Sequence, residues 1–557
     1  DVGFALQAIG EAPAAERPLR SGPRVYKPLA IIPVILSAGL ALALLLTSYR
    51  TLLRQGGLEA PSGELPRIVV LPFENLGSPE DEYFAAGMTE EITSRLAAVS
   101  ELQVISRTSA RTYAGTTKNV REIGEELEVG YVVEGTVRWD RDAAGLGRVR
   151  ITPQLIRVAD DSHLWSERYD RQLEDLFSIQ SDIAAQVIDQ LQATLLEPER
   201  RAIEARPTDN MEAYQAYLLG LQYWWTGEDE RTARMMLETS ERAVELDPEF
   251  ALAHALLSQA HSQFYHYKYD FTDERASKAL RSAERALELQ PDLAQAHLAL
   301  AFYHYWCHRD YEAALAEIAI AAKGRPNDPE VLTAKWAVAR RMGRWQEALA
   351  TLERATELDP QGYLTLYEWG GTLTMVRQYA RAEEQLLRAI GVAPDRPDAY
   401  YYAVLNYLMW DGTTYRARQL LLDVPALDDP RLAYVSLLFD YYDRDFAALH
   451  VAIARLEGDV IALEAAYLPE DLLRCVVLDA TGDRDRARSA CESAVSILAG
   501  ELDRRPYDHR LYSALGHAYA ILGRDRDAVA AAERAVEMWP ISKDAFEGIQ
   551  PAVELAR

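Results

Sequence analysis

Cysteine is scarce in this chain. Its 557 residues include only Cys307, Cys475 and Cys491 and no Cys-x-x-Cys pair, which excludes a disulfide framework. Cys475 and Cys491 could meet on neighbouring helices and bridge in an oxidising compartment, but buried free thiols are the favoured reading. Basic residues are also short: 59 Lys and Arg stand against 86 Asp and Glu, a formal charge of −27. Phosphate binding needs concentrated cations, so nucleic acid is excluded as the main partner. Catalytic signatures are missing as well. There is no Gly-x-x-x-x-Gly-Lys loop, no His-Glu-x-x-His zinc site and no Gly-x-Ser-x-Gly elbow. No catalytic residue, cofactor or metal is therefore expected. What is abundant is apolar surface: 49% of residues, with 30 Tyr and 10 Trp, enough to bury real cores and to exclude wholesale disorder.

Residues 29–47 run LAIIPVILSAGLALALLLT, 19 positions without a charge. At about 1.5 Å per residue this run reaches roughly 28 Å, close to a bilayer's hydrocarbon core. A transmembrane helix is expected over 28–49, between a basic segment 1–27 and a Gly- and Pro-containing linker 50–66. Arg17, Arg20, Arg24 and Lys27 precede the run and Arg50 and Arg54 follow it, which favours a cytoplasmic amino side. The expectation is thus a single-pass inner-membrane protein whose later residues are periplasmic.

A small α/β domain is expected over 67–197. Ile68–Phe73 has the continuous apolar character of a buried strand. Ser78-Pro79-Glu80-Asp81 opens a helix carrying Tyr83, Phe84, Met88, Ile92 and Leu96 at helical spacing. Gln103–Ser106 reads as a strand and Val120–Leu127 as a helix. Tyr131–Trp139 alternates, and the turn Arg141–Gly147 leads into Val149–Val158 as a hairpin. Ile179, Ile183, Val187, Leu191 and Leu195 stripe a closing helix. The segments VVLPFENL (69–76), EYFAAGMTEEI (82–92), YVVEGTVR (131–138), RITPQLI (150–156) and HLWSERYDR (163–171) resemble the TolB-like domain that precedes repeat arrays in bacterial signalling proteins. That resemblance implies a ligand- or partner-binding module without established chemistry. Pro153 departs from the pattern and predicts an edge or a bulge there.

From 210 to 557 the chain is periodic. Pro326, Pro360 and Pro394 lie 34 apart, as do Pro506 and Pro540, Ala314, Ala348 and Ala382, and the aromatics Tyr311, Trp345 and Tyr379. The 43 residues from Pro248 to Pro291 imply an insertion around Tyr265–Thr272. Tyr512, Leu515, Gly516, Tyr519, Gly523, Ala528, Ala535 and Pro540 form the best copy. This helix-turn-helix period resembles that of tetratricopeptide repeats, and it predicts an α-solenoid of about eight to nine repeats, cut short at its carboxyl end. Such an array leaves a concave face suited to a protein or peptide ligand. Aligning repeats on the shared alanine places Tyr303, Trp306, Arg340, Arg341 and Tyr367 on or near that face. An acidic peptide on Arg340 and Arg341 is the sharpest form of that expectation.

Two catalytic look-alikes fail on inspection. His308-Arg309-Asp310 spells the kinase catalytic-loop tripeptide, but Glu312 and Leu315 occupy the positions that need lysine and asparagine. His254, His261, His266, His297 and His304 cluster loosely in the second and third repeats, and aromatic-rich repeats hold histidines routinely without a metal. The whole reads as mainly α: a solenoid preceded by a small α/β domain and one membrane span. Asp1–Ile9 (DVGFALQAI) resembles the last helix of bacterial Ser/Thr kinase domains. That likeness implies the non-catalytic part of a receptor-like kinase, in which ligand binding changes homodimer geometry. The alternatives are the same module on a nucleotide cyclase or winged-helix head, and a free-standing membrane-tethered scaffold.

Overall fold

The computed structural model describes residues 65–557 except 142–146, 173–175, 227–228, 423, 425–428, 456–459, 464–465 and 557. Leu65–Arg557 forms one compact unit. Its first part is a mixed sheet. Strand β1 (Arg67–Val70) lies parallel to β3 (Gln103–Val104) on one side and to β4 (Tyr131–Arg141) on the other. β4 pairs antiparallel with β5 (Gly147–Arg157) along its full length. The two-residue β2 (Glu74–Asn75) extends the β4 edge.

Period-two alternation decides which side chain meets which helix. Ile68 and Val70 face the core made with α1 (Glu82–Ala97) and α4 (Leu176–Gln190), while Val69 and Leu71 face α3 (Val120–Leu127). Both faces of the strand are covered beyond Arg67, so Ile68 to Leu71 run apolar without a break. α1 starts at Glu82, after a 3-10 turn over Pro79–Asp81. α3 is held by a capping box in which Asn119 and Glu122 exchange side-chain and backbone bonds.

Pro153 sits in the interior of the sheet, not at its edge. β6 (Ser162–Ser166) pairs with Gln154–Arg157 and β7 (Tyr169–Gln172) with Arg148–Ile151, so Pro153 falls in the gap between them. A residue without an N–H is tolerated where the outer partner strand changes. The bulge comes later, between Leu155 and Ile156.

After α5 (Glu197–Glu204) come nine helix pairs among the described residues, with helices lettered A and B. Pairs 1 to 3 are Met211–Thr226 with Glu230–Leu246, Ala251–His266 with Asp273–Leu289, and Ala294–Phe302 with Tyr311–Gly324. Pairs 4 to 6 are Pro329–Arg341 with Trp345–Leu358, Tyr363–Met375 with Tyr379–Val392, and Pro397–Asp411 with Tyr415–Leu422. Pairs 7 to 9 are Pro430–Tyr442 with Phe446–Ala454, Glu470–Ala480 with Arg484–Arg504, and His509–Ile521 with Asp525–Met538. A final helix spans Ile549–Ala556. Ala314, Ala348 and Ala382 are fully buried. In the best copy, a Cβ on Gly516 would come within 3.3 Å of the Ala528 carbonyl, which is why helix 9A can approach 9B so closely. The insertion is the loop between 2A and 2B. A small hairpin, β8 (Val460–Ala462) with β9 (Tyr467–Pro469), interrupts the array before pair 8.

Two expectations are corrected. Cys475 on 8A and Cys491 on 8B are joined in a disulfide, not free thiols, because both face the buried seam of one helix pair with their Cα atoms 4.9 Å apart. The single-pass inner-membrane placement with a periplasmic array is also overturned: among the described residues no helix is long and apolar enough to cross a membrane. The longest helix of the array, the 21-residue 8B, carries Arg484, Asp485, Arg486, Arg488 and Glu492 along its first half. The run 29–47, with the segments 1–27 and 50–64, lies outside the described residues.

Candidate functional site

The A helices line a concave cavity of about 1260 Å³. Its aromatic wall begins at Trp224 on 1A, which meets Phe302 edge-on at 5.9 Å. Phe302 stacks on Trp306 at 4.5 Å, and His266 stacks on the same indole at 5.0 Å. Further along, Tyr363 contacts Tyr367 and Tyr367 stacks on Tyr402 from 6A. The rings come from the A-helix sides of pairs 1, 2, 3, 5 and 6, all of which face the cavity. The α/β part supplies another wall through Glu90 and Glu91 of α1 and Arg107 at the start of α2 (Arg107–Arg111).

The opposite side is closed by the chain's own carboxyl-terminal segment. Lys268, in the loop after 2A, comes within 4.0 Å of Asp508 at the cap of 9A, so the array curves far enough to bring pair 2 to pair 9. After 9B, Asp544 and Glu547 both pair with Arg341, at 3.1 Å for Asp544. Arg309 stands 3.6 Å and 3.9 Å from the same two carboxylates. Tyr311 donates its hydroxyl to Asp544 at 2.9 Å, and burial raises its pKa, which keeps it a donor. The Arg340 guanidinium lies 4.1 Å from the Phe546 ring centroid and 4.8 Å from that of Trp336, while its charge pairs with Glu368.

A second charged group faces the cavity from the side of the α/β part. Trp224 Nε1 donates to Glu330 Oε1 at 3.0 Å. Burial, reinforced by the charge of Asp328, pushes the Glu330 carboxyl up to about 8, against the pull of Arg325. A folded-state value above the unfolded one means that this group's stabilisation is complete below the ordinary glutamate range and is lost as pH rises through about 8. Glu330 keeps partial exposure, so the expected size is about 1 kcal/mol, well below the full linkage value. Urea midpoints of the wild type should fall between pH 6 and pH 9 more than those of Glu330→Gln. Equal slopes would remove Glu330 as the titrating group.

Of the residues placed on the inner face from sequence, Trp306, Arg340, Arg341 and Tyr367 line the cavity. Tyr303 does not. It packs with Ala276, Ala279 and Cys307 in the seam against 2B and bonds to His308 Nε2 through its hydroxyl. The cause is a π-helical turn over Tyr303–His308, which changes the phase of 3A after Phe302. Arg309, dismissed with its tripeptide, is the residue missed: it holds a left-handed backbone (φ 55°) in the turn before 3B and stacks over Trp539 at 3.8 Å. The histidines disperse among separate partners: His254 to the Pro248 carbonyl, His261 to Arg275, His297 to Glu317 and the Pro291 carbonyl.

The tetratricopeptide repeat family matches residues 509–540, which are pair 9 and its closing proline. Pair 9 is a tetratricopeptide repeat. A protein of Rhizobium meliloti (strain 1021) named "Putative adenylate cyclase 3" is 40% identical over 196 residues, 35% of this chain and 32% of that protein. The chain thus spans about a third of that relative's length. Among solved structures, the human IFIT1 dimer with m7Gppp-AAAA is 15% identical, with 65% of this chain and 77% of that one covered at a TM-score of 0.38. PilW, a type IV pilus biogenesis factor, is 18% identical over 41% of this chain and 99% of its own, TM-score 0.33. YrrB, described as a TPR protein with an unusual peptide-binding site, is 20% identical over 34% and 91%, TM-score 0.27. Pair 9 thus matches a tetratricopeptide repeat within a mainly helical array of helix pairs, with a small α/β region before it.

Proposed function

We propose that this chain is the non-catalytic interaction region of a signalling protein, and that its concave cavity receives an extended peptide or a helix of a partner protein. The carrying observation is the cavity of about 1260 Å³ whose walls alternate stacked aromatics with arginines. Aromatic rings supply area at low entropy cost, and arginines supply planar recognition of carboxylates. The α/β region, which resembles a TolB-like module, forms one wall and would couple its own state to the groove.

The signalling head is read from two likenesses of unequal extent. Nine residues, Asp1–Ile9, resemble a Ser/Thr kinase helix, whereas 196 residues align with the relative named for adenylate cyclase. The longer likeness favours a nucleotide-cyclase head over a kinase head. Cyclic AMP formed from ATP by the natural protein supports that reading; phosphate transfer to Ser or Thr without cyclic AMP supports the kinase.

A displayed peptide library selected on the full chain tests the groove itself. Selected peptides should bind Trp306→Ala and Tyr402→Ala variants at least tenfold more weakly, since both rings are only partly buried and leave the fold intact when removed. Peptides that bind both variants as tightly as the wild type would place the partner surface elsewhere.

A further inference from the structure

At one end of the groove, where Arg309, Arg340 and Arg341 line it, these arginines are met by four consecutive residues, Asp544, Ala545, Phe546 and Glu547, of which Glu547 itself lines the cavity. They use three kinds of contact. Carboxylates meet Arg341 and Arg309, an aromatic ring lies against the guanidiniums of Arg340 and Arg341 at 4.1 and 5.1 Å, and the Ala545 amide donates to the Arg341 carbonyl at 2.6 Å. A segment serving only to cap the solenoid would bury its ring among aliphatic side chains. Here the ring is half-buried and lies on cations instead.

The four residues also shape themselves. Asp544 Oδ1 accepts from the amides of Phe546 and Glu547, each at 2.9 Å. Gly548 closes the turn where a Cβ would come within 2.6 to 2.8 Å of backbone atoms of Asp544, Ile541 and Pro540, a position only glycine fits. The conformation is therefore local to the segment, and a different polypeptide with the same pattern can present it.

Resting on the groove reading above, we infer that residues 541–548 are an internal ligand of the groove. They stand in for a partner peptide that presents an aromatic ring two residues after one carboxylate and one residue before another. Tethering to 9B holds the segment at high effective concentration, so a partner in solution binds only as the segment is displaced, and its apparent affinity falls by the fraction of chains left open. The receiving cations are an island in a chain of formal charge −27, which selects for carboxylates that reach them on an aromatic anchor.

The probe is a synthetic peptide copying residues 541–549, titrated against the full chain and against Phe546→Ala/Glu547→Gln. Binding at least tenfold tighter to the variant, lost when the peptide's own Phe is replaced by Ala, is the expected result. Equal affinity for both chains, or no binding to a variant that melts within a few degrees of the wild type, overturns the inference. Should the variant not fold, hydrogen exchange on the unaltered chain decides. Amides 544–548 must lose protection when the peptide saturates, and unchanged protection overturns the inference equally. Library peptides that depend on Trp306 and Tyr402 but lack the carboxylate–aromatic pattern would sink this inference while leaving the groove standing. If neither library nor copied peptide binds, both fail.

Discussion

Replacing Arg341 with alanine is expected to destabilise the carboxyl-terminal end of the array by about 3 kcal/mol. The Arg341 side chain is 4% exposed, and those of Asp544 and Glu547 are 0% and 6% exposed. Taking the cation away leaves two carboxylates in a low-dielectric seam with Arg309, at 3.6 and 3.9 Å, as the remaining cation within 4 Å. The pair itself is not a large net gain, because burying three charges costs about as much as their attraction returns. The expected loss comes instead from the uncompensated charge. That distinction is testable. Arg341→Met combined with Asp544→Asn and Glu547→Gln should regain most of the stability lost by Arg341→Ala, as strong non-additivity in a mutant cycle. Arg341→Lys should recover only part, since an ammonium cannot hold both carboxylates in a fork. Hydrogen exchange at the amides of 9B and of 544–548, followed across a urea series, reports this end directly. Additive losses across the cycle would mean that the three groups do not act as one network.

The helical array was legible because its information is local and repeated. Ala314, Ala348 and Ala382 announce the same close contact three times, and Pro326, Pro360 and Pro394 end three B helices two residues after each stops, so periodicity carries the architecture. The facing of β4 followed from alternation, with Val133, Val137 and Trp139 in one core and Val132 in the other. The site was only half legible. Trp306, Arg340, Arg341 and Tyr367 follow from repeat position, whereas Tyr303 was lost to a π turn that no propensity signals. The Asp544–Glu547 segment meets Arg341, 203 to 206 residues earlier in the chain, and nothing in a 34-residue period encodes contact across the mouth of a solenoid. Read as the start of another repeat, it carried no charge partner in sequence. Cys475 and Cys491 failed for a related reason: composition speaks to a framework of many bridges and not to one seam.

The other large effect is expected at Asp359, where the α/β part is fastened to pair 4. Its carboxylate accepts from the hydroxyls of Ser106, Ser109 (2.7 Å) and Thr365 (3.0 Å), all buried. The backbone reinforces the joint: Ser106 N donates to the Leu358 carbonyl at 2.7 Å, and Gln361 N to Ser109 Oγ at 2.8 Å. Burial raises the Asp359 carboxyl above the usual range, and the three hydroxyl bonds oppose that rise. Asp359→Ala strands the hydroxyls without an acceptor, at a cost of about 2 to 4 kcal/mol. Asp359→Asn keeps one carbonyl oxygen facing Ser106 and Ser109 and should cost only about 1 kcal/mol. Equal costs for the two would show that the charge of Asp359, and not the acceptor oxygen facing Ser106 and Ser109, holds the joint. Because Ser106 caps α2, whose first residue Arg107 lines the cavity, loosening this joint also frees one wall of the groove. Hydrogen exchange should therefore rise over 105–111 in Asp359→Ala, while the amides of pair 9 stay as protected as before. Loss of protection in both places at once would show that the α/β part and the far end of the array unfold as a single cooperative unit.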